Sequence, residues 1–150
     1  MANTFSSTYL HFVFSTKLRK KLIDREIESR VWKYIGGILR NYGMSALRIG
    51  GIEDHIHALV QTLPKFSASK IAQLMKTDSS RWIKDEFDRL QFFSWQDGYG
   101  VFSVSHSDIE SVVDYIRNER IHHEGKSFED EYRELMDLHA IEFEEKYLLG

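Results

Sequence analysis

An α+β domain is predicted, with one antiparallel four-stranded sheet and helices on one face. Three observations predict it. The hydrophobic pattern switches repeatedly between strand-like alternation and helical spacing, in the order β-α-β-β-α-β-α-α. The second and third strands are separated only by Glu53-Asp54, which forces them into an antiparallel hairpin. The chain has 150 residues, 42% of them hydrophobic and 29% charged, which suits one ordinary globular core.

Each element has its own local reason. Tyr9 to Phe14 (Tyr-Leu-His-Phe-Val-Phe) is aromatic and β-branched and reads as a buried strand, followed by a basic loop from Ser15 to Lys21. Asp24 opens a helix to about Asn41, with Ile27, Val31, Tyr34, Ile35, Ile38 and Leu39 on one face and Gly43 as its left-handed stop. Ala46 to Ile52 and His55 to Thr62 are the hairpin strands. Ser67 caps a second helix to about Phe87, with Ile71, Leu74, Met75, Trp82 and Ile83 at helical spacing. Tyr99 to Ser105 alternates as the fourth strand. Ser107 or Asp108 starts a third helix to about His123, and Ser127 caps a short acidic helix through Leu138. The order is the ferredoxin-like (RRM-like) split βαββαβα pattern with an extra C-terminal helix. It leaves the second sheet face free for a ligand, a partner or another copy. The whole of 1–150 is read as a single domain, its core at about 8–123 and an acidic helix and tail at 124–150.

Composition excludes several functions. There is no cysteine, hence no disulfide scaffold, no cysteine nucleophile and no thiolate metal site. No apolar run is long enough to span a membrane, and the N-terminus lacks the basic start and apolar stretch of a signal peptide. A cytoplasmic location is the expectation. Net charge is −3, but unevenly placed: residues 1–90 carry 15 Lys and Arg against 9 Asp and Glu, a net of +6, and residues 91–150 carry 5 against 14, a net of −9. The basic part suits phosphates, although a solvated surface with ordinary scatter accounts for it as well.

The sharpest local feature is His55-Ile56-His57. Residues i and i+2 of a strand point to the same face, so both imidazoles project together as a ready pair of metal ligands. An edge pair of polar histidines is the plainer alternative. Tyr115 and Glu119 are spaced i, i+4 on the third helix, on one face and one turn apart. Glu119 can complete a two-His-one-carboxylate site. A tyrosine among Val112, Val113 and Ile116 is otherwise a core aromatic with its hydroxyl at the rim. His122-His123 read as C-terminal helix capping, and His11 as a structural histidine. Lys17, Arg19, Lys20 and Lys21 follow the aromatic first strand, and Arg81 and Lys84 flank Trp82, which reads as core. Such mixtures can track a nucleic-acid backbone.

Taken in order, these segments resemble the single-tyrosine HUH transposases of the insertion-sequence 200/605 type. Glu53-Asp54-His55-Ile56-His57-Ala58-Leu59-Val60 is similar to the family's Asp-His-x-His-hydrophobic strand. Phe93-Ser94-Trp95-Gln96-Asp97-Gly98-Tyr99-Gly100 resembles its entry to the last strand. Lys76 with Ser79-Ser80-Arg81-Trp82, Tyr115-Ile116-Arg117-Asn118-Glu119 with His122-His123, and Lys126 to Tyr132 resemble its second helix, tyrosine helix and tail.

The resemblance implies a metal-dependent DNA transposase of a bacterium or archaeon. His55, His57 and Glu119 would hold Mg²⁺ or Mn²⁺. Tyr115 would attack single-stranded DNA, leaving a 5′-phosphotyrosine and a free 3′-hydroxyl, so that strands rejoin with no nucleotide cofactor. It implies hairpins at element ends as targets and a homodimer in which, in some members, the tyrosine helix serves the partner's site. Lys17, Arg19, Lys20, Lys21, Lys76, Arg81 and Lys84 are the candidates for DNA backbone contacts. Many relatives carry glutamine where this chain has Glu119, which puts metal preference in question. The acidic segment from Glu124 to Glu145 is expected to pack away from the active face or against a partner subunit. Two readings stay beside the main one. One is a domesticated HUH endonuclease acting on repeat hairpins. The other is a non-catalytic nucleic-acid-binding ferredoxin-like module, which predicts neither metal dependence nor a covalent adduct. A dimeric structural protein with an incidental His pair predicts no DNA affinity.

Overall fold

The computed structural model describes residues 3–150; Met1 and Ala2, the start of the N-terminal segment read above, lie outside the described residues. The elements run β1 (Tyr9–Ser15), α1 (Glu28–Asn41), β2 (Ser45–Ile52), β3 (His55–Gln61), α2 (Ala68–Glu86), β4 (Gly100–Val104), α3 (Ile109–Arg117), α4 (Glu119–His122) and α5 (Phe128–Leu138). All sheet neighbours are antiparallel, in the order β2-β3-β1-β4. This is the split βαββαβ arrangement expected from the sequence. No helix among the described residues is long and apolar enough to cross a membrane.

The two crossover helices lie together on one face, as expected. Phe12 and Phe14 of β1 and Ile56, Ala58 and Val60 of β3 point into this layer, against Val31, Ile35 and Leu39 of α1 and Ile71, Met75 and Ile83 of α2. Ser67 caps α2 by accepting a hydrogen bond from the Lys70 backbone N–H. Trp82, expected in the core, sits at its margin and stacks on Tyr34, ring centroids 4.4 Å apart. Trp95 is buried, edge-on to Phe14, and donates to Ser79 Oγ at 2.9 Å. Gln96 accepts from the Ser15 backbone N–H, so the Trp-Gln pair closes the end of β1.

The opposite face, expected to be free, is covered. The alternate residues of the central strands, Tyr9, Val13 and Leu59, are as apolar as the first set and require burial. Ile116 of α3 covers Tyr9 and Leu59. Phe128, Tyr132, Leu135 and Met136 of α5 cover Val13 and Phe102. The acidic C-terminal segment therefore packs onto the face that carries His55 and His57, against expectation. An apolar stripe on α5 fits that face, and its acids lie largely on the solvent side.

Two glycines permit this second layer. A Cβ at Gly50 would lie 2.9 Å from Ile116 Cγ2 and 3.1 Å from the Ile116 carbonyl oxygen, so Gly50 lets α3 rest on β2. A Cβ at Gly100 would lie 2.6 Å from the Tyr132 ring, so Gly100 admits α5. Gly50 is paired with His57 in the β2–β3 register, which places the tyrosine helix over the histidine pair.

Candidate metal and tyrosine site

The strand period decides the first two donors. His55 and His57 of β3 point to one face with no side-chain exposure, opposite Ser15 and Val13 of β1. Their Nδ1 atoms are held by neighbours. His55 Nδ1 lies 2.7 Å from Asp54 Oδ1, and His57 Nδ1 lies 2.8 Å from His11 Nε2. Fixing one ring nitrogen leaves the other aimed inward, as is usual for metal-ligating histidines. His11 is thus a structural histidine with a specific task. Burial and the neighbouring His57 push it down to about 3, so it stays neutral.

The third helix does not run unbroken to His123. It stops at Arg117; Asn118 (φ −97°, ψ 18°) leaves helical geometry, and α4 starts at Glu119. Asn118 thus sits in the sparsely allowed bridge region of backbone space. Tyr115 and Glu119 still reach the same place. Glu119 Oε1 lies 2.8 Å from His55 Nε2 and 2.7 Å from His57 Nε2.

Two further residues join them, and sequence reasoning missed both. Glu131 of α5 is 1% exposed, and its Oε1 lies 3.0 Å from His57 Nε2 and 3.4 Å from His55 Nε2. His123, read as a helix cap, brings Nε2 to 3.2 Å from Glu119 Oε1 and 3.0 Å from Glu131 Oε1. The hydroxyl of Tyr115 donates to the other oxygen of Glu131. His122 stacks on the Tyr115 ring with centroids 4.5 Å apart. A signal for Glu131 existed: it lies on the apolar stripe of α5, three residues after Phe128 and four before Leu135, where a carboxylate needs a partner.

The electrostatics follow from burial and proximity. Burial opposes charge on His55, but its bonds to Asp54, Glu119 and Glu131 hold its pKa well above the usual histidine range. His57 is likewise buried and likewise raised, by the two carboxylates. Against the same burial penalty, Glu119 is held down to about 2 by His57 and by bonds from the three imidazoles, and Glu131 lies well below the usual range for the same reasons. His123 is carried up to about 9 by Glu119 and Glu131 despite its burial. Burial and the Glu131 carboxylate push the Tyr115 phenol far above its usual value.

This donor set fits a divalent cation. One ligating atom each from His55, His57, Glu119 and Glu131 lies within 4.8 Å of the others. Glu119 Oε2 is buried and finds no hydrogen-bond partner among the described residues, an open valence that a cation would fill.

The basic candidates divide. Residues 17–21 lie beside the site, since the Thr16 backbone N–H donates to the Asp54 carbonyl at 2.8 Å. Lys17, Lys20 and Lys21 are exposed, and Arg19 pairs with Glu129 of α5 at 3.0 Å. Arg81 and Lys84 are on α2, behind the sheet and away from the histidines. Lys76 is there too, and it is occupied: its Nζ donates to the Asp97 and Gly98 carbonyls, both at 2.9 Å.

The chain is similar to known proteins. The family described as "Transposase IS200 like" matches residues 4–119. The transposases for insertion sequence element IS200 of Salmonella typhimurium and Salmonella typhi are each 27% identical over 124 residues, covering 79% of this chain and 81% of theirs. Among solved structures, a putative transposase from Deinococcus radiodurans R1 aligns with a TM-score of 0.66 at 19% identity, over 79% of this chain and 95% of that one. A REP-associated tyrosine transposase bound to a REP hairpin aligns with a TM-score of 0.58 at 13% identity, over 83% and 73%. These two show the shared fold. With the family match spanning the sheet, both histidines, Tyr115 and Glu119, this chain belongs to the IS200-like transposase family.

Proposed function

We propose that this protein is a transposase that cuts and rejoins single-stranded DNA through Tyr115, with a divalent cation, Mg²⁺ or Mn²⁺, at His55, His57, Glu119 and Glu131. The observation that carries this reading is the Tyr115 hydroxyl, bonded to the carboxylate whose other oxygen sits against both histidines. A phenol and a cluster able to hold a cation are thereby joined by one side chain.

The roles separate by atom. Tyr115 Oη attacks the phosphorus, the P–O3′ bond breaks, and the phosphate stays on the tyrosine as a 5′-phosphotyrosine. The phenol loses its proton to a carboxylate within reach, and Glu131 is the one in contact; the departing 3′-oxygen takes up a proton as a free hydroxyl. The same hydroxyl attacking the adduct reverses the step and rejoins strands, so no nucleotide cofactor is needed. A cation held by His55, His57, Glu119 and Glu131 would supply Lewis-acid stabilisation of charge at the scissile phosphate and the phenolate. His11 and Asp54 orient the histidines from behind. His122 and Ile116 fix the tyrosine ring and its helix.

A homodimer would bring two such sites to two element ends. The similarity to a hairpin-bound transposase supports hairpins in single-stranded DNA as targets. Lys17, Arg19, Lys20 and Lys21 border the site and are the preferred backbone contacts. The test is a covalent-adduct assay with labelled single strands from the flanks of the gene, with and without Mn²⁺. A protein–DNA band on a denaturing gel that needs Mn²⁺ and disappears in Tyr115→Phe and His57→Ala supports the reading. DNA binding with no adduct under any metal condition overturns it in favour of a binding module.

A further inference from the structure

A cavity of about 330 Å³ opens between α3 and α5, over the β4 edge of the sheet. Its lining includes Tyr115, His11, Asp108, Ser111, Leu138 and His139. Two of these belong to the site already described. Tyr115 is the proposed nucleophile, and His11 is bonded to the metal-facing His57. The cavity is therefore an antechamber of the tyrosine rather than a remote pocket.

We propose that this cavity holds one unpaired nucleobase, that of the nucleotide whose 5′-phosphate is transferred to Tyr115. The inference rests on the tyrosine-nuclease reading and adds the group that positions its substrate. Size supports it: 330 Å³ is at the lower end of small-molecule pockets, suited to one planar group and too small for a stacked base pair. Chemistry supports it as well. His139 stacks on Phe102, centroids 4.6 Å apart and planes 21° from parallel, which presents a flat aromatic wall. Leu138 is 77% exposed at the cavity, an apolar surface that a base would cover. Ser111, whose hydroxyl donates to the Asp108 carbonyl, and Asp108, whose Oδ2 accepts from Ser105 Oγ, each keep acceptor capacity for the amino group of a base edge. Reach supports it too, because a base is tethered to its own 5′-phosphate through one sugar, and the phosphate in question is bonded to a wall of the cavity. Enzymes that act on one nucleotide commonly seat its base in such a pocket, between aromatic and apolar groups.

The test uses a single strand whose cut site has been mapped by adduct formation. An abasic residue is placed at the nucleotide just 3′ of the cut, or at the one just 5′ of it. The expected result is an adduct rate about tenfold lower for the 3′ abasic strand and little changed for the 5′ one, the size expected for one lost stacking contact. His139→Ala should cost a similar factor on the intact strand and make the 3′ abasic residue cost no more. Ser111→Trp, which fills the cavity from an exposed helix position, should reproduce the loss with an unchanged melting temperature, should His139→Ala disturb packing on Phe102. Equal losses at the two abasic positions, or losses in His139→Ala and the 3′ abasic strand that simply multiply, would overturn the pocket while leaving the nuclease reading intact. No adduct on any strand overturns both.

Discussion

Tyr115 donates its hydroxyl proton to Glu131 Oε2, while Glu131 Oε1 lies 3.0 Å from His57 Nε2. One carboxylate from the C-terminal helix thus spans the tyrosine and the histidine pair. The family match ends at Glu119, so this residue comes from beyond it. The acidic segment, expected to pack away from the active face or against a partner subunit, supplies part of the candidate centre.

The first prediction concerns that carboxylate. Glu131→Ala should weaken Mn²⁺ binding by at least tenfold, measured by calorimetric titration, because it removes one of four donors and the acceptor of the Tyr115 proton. A variant that loses melting temperature but keeps Mn²⁺ affinity would reduce Glu131 to a packing residue.

Glu119 should set metal preference. Glu119→Gln keeps one oxygen ligand and removes a charge, so Mn²⁺ affinity should fall while binding persists. The wild type should hold Mn²⁺ more tightly than Mg²⁺, since two of its donors are imidazoles. Competition titrations of the two ions read both statements.

Stability without metal should depend on pH in a defined way. His123 is raised from an ordinary 6.5 to about 9. Its contribution is complete below about pH 6.5 and is lost as pH rises through about 9. Glu119 is lowered from 4.5 to about 2, so its contribution is complete above about pH 4.5 and is lost as pH falls through about 2. His11, lowered from 6.5 to about 3, acts in the opposite sense to His123: its contribution is complete above about pH 6.5 and is lost as pH falls toward 3. Metal-free protein should therefore melt highest near pH 6.5. Mn²⁺ displaces the protons on His55 and His57, both held above the usual histidine range, so its affinity should rise as pH rises above about 6.5, with proton release visible as buffer-dependent binding heat. A melting temperature that rises toward pH 9 in chelator would contradict the charged cluster.

Gly50→Ala should damage the tyrosine helix from a distance. The added Cβ meets both the side chain and the backbone of Ile116, and backbone gives way only if α3 lifts from β2. A loss of about 1–3 kcal/mol in urea melts is expected, together with an adduct yield that falls further than the unfolded fraction explains. Of the four candidate donors only Glu119 follows α3, while His55 and His57 stay on β3 and Glu131 on α5, so Mn²⁺ affinity should fall, but less than in Glu131→Ala.

Lys76→Ala and Lys21→Ala separate structure from DNA contact. Lys76 is committed to the Asp97 and Gly98 carbonyls, so its loss should cost about 1–2 kcal/mol of stability with little change in the salt slope of DNA binding. Lys21 is exposed beside the site, and its loss should weaken DNA binding and lower that slope by about one charge. Fluorescence anisotropy at several salt concentrations distinguishes them.

Local pattern carried much of this molecule. Strand alternation placed His55 and His57 on one face, the Glu53-Asp54 turn made the hairpin, and helical spacing gave α1 and α2 with their buried stripes. Glu119 was legible because four residues from Tyr115 is a short, local distance that a small kink at Asn118 does not undo. The remaining donors were not. Glu131 lies in a run of Glu129, Asp130 and Glu131 that reads as a solvated face, and His123 reads as a helix cap. What assigns them otherwise is the packing of α5 on Val13 and Phe102. The periodicities of 2 and 3.6 residues are properties of the backbone, so sequence alone determined the elements and which side chains share a face. Which face α5 covers, and hence which of its acids is buried against histidines 74 and 76 residues earlier in the chain, depends on apolar surfaces meeting across space, and only the tertiary structure decided it.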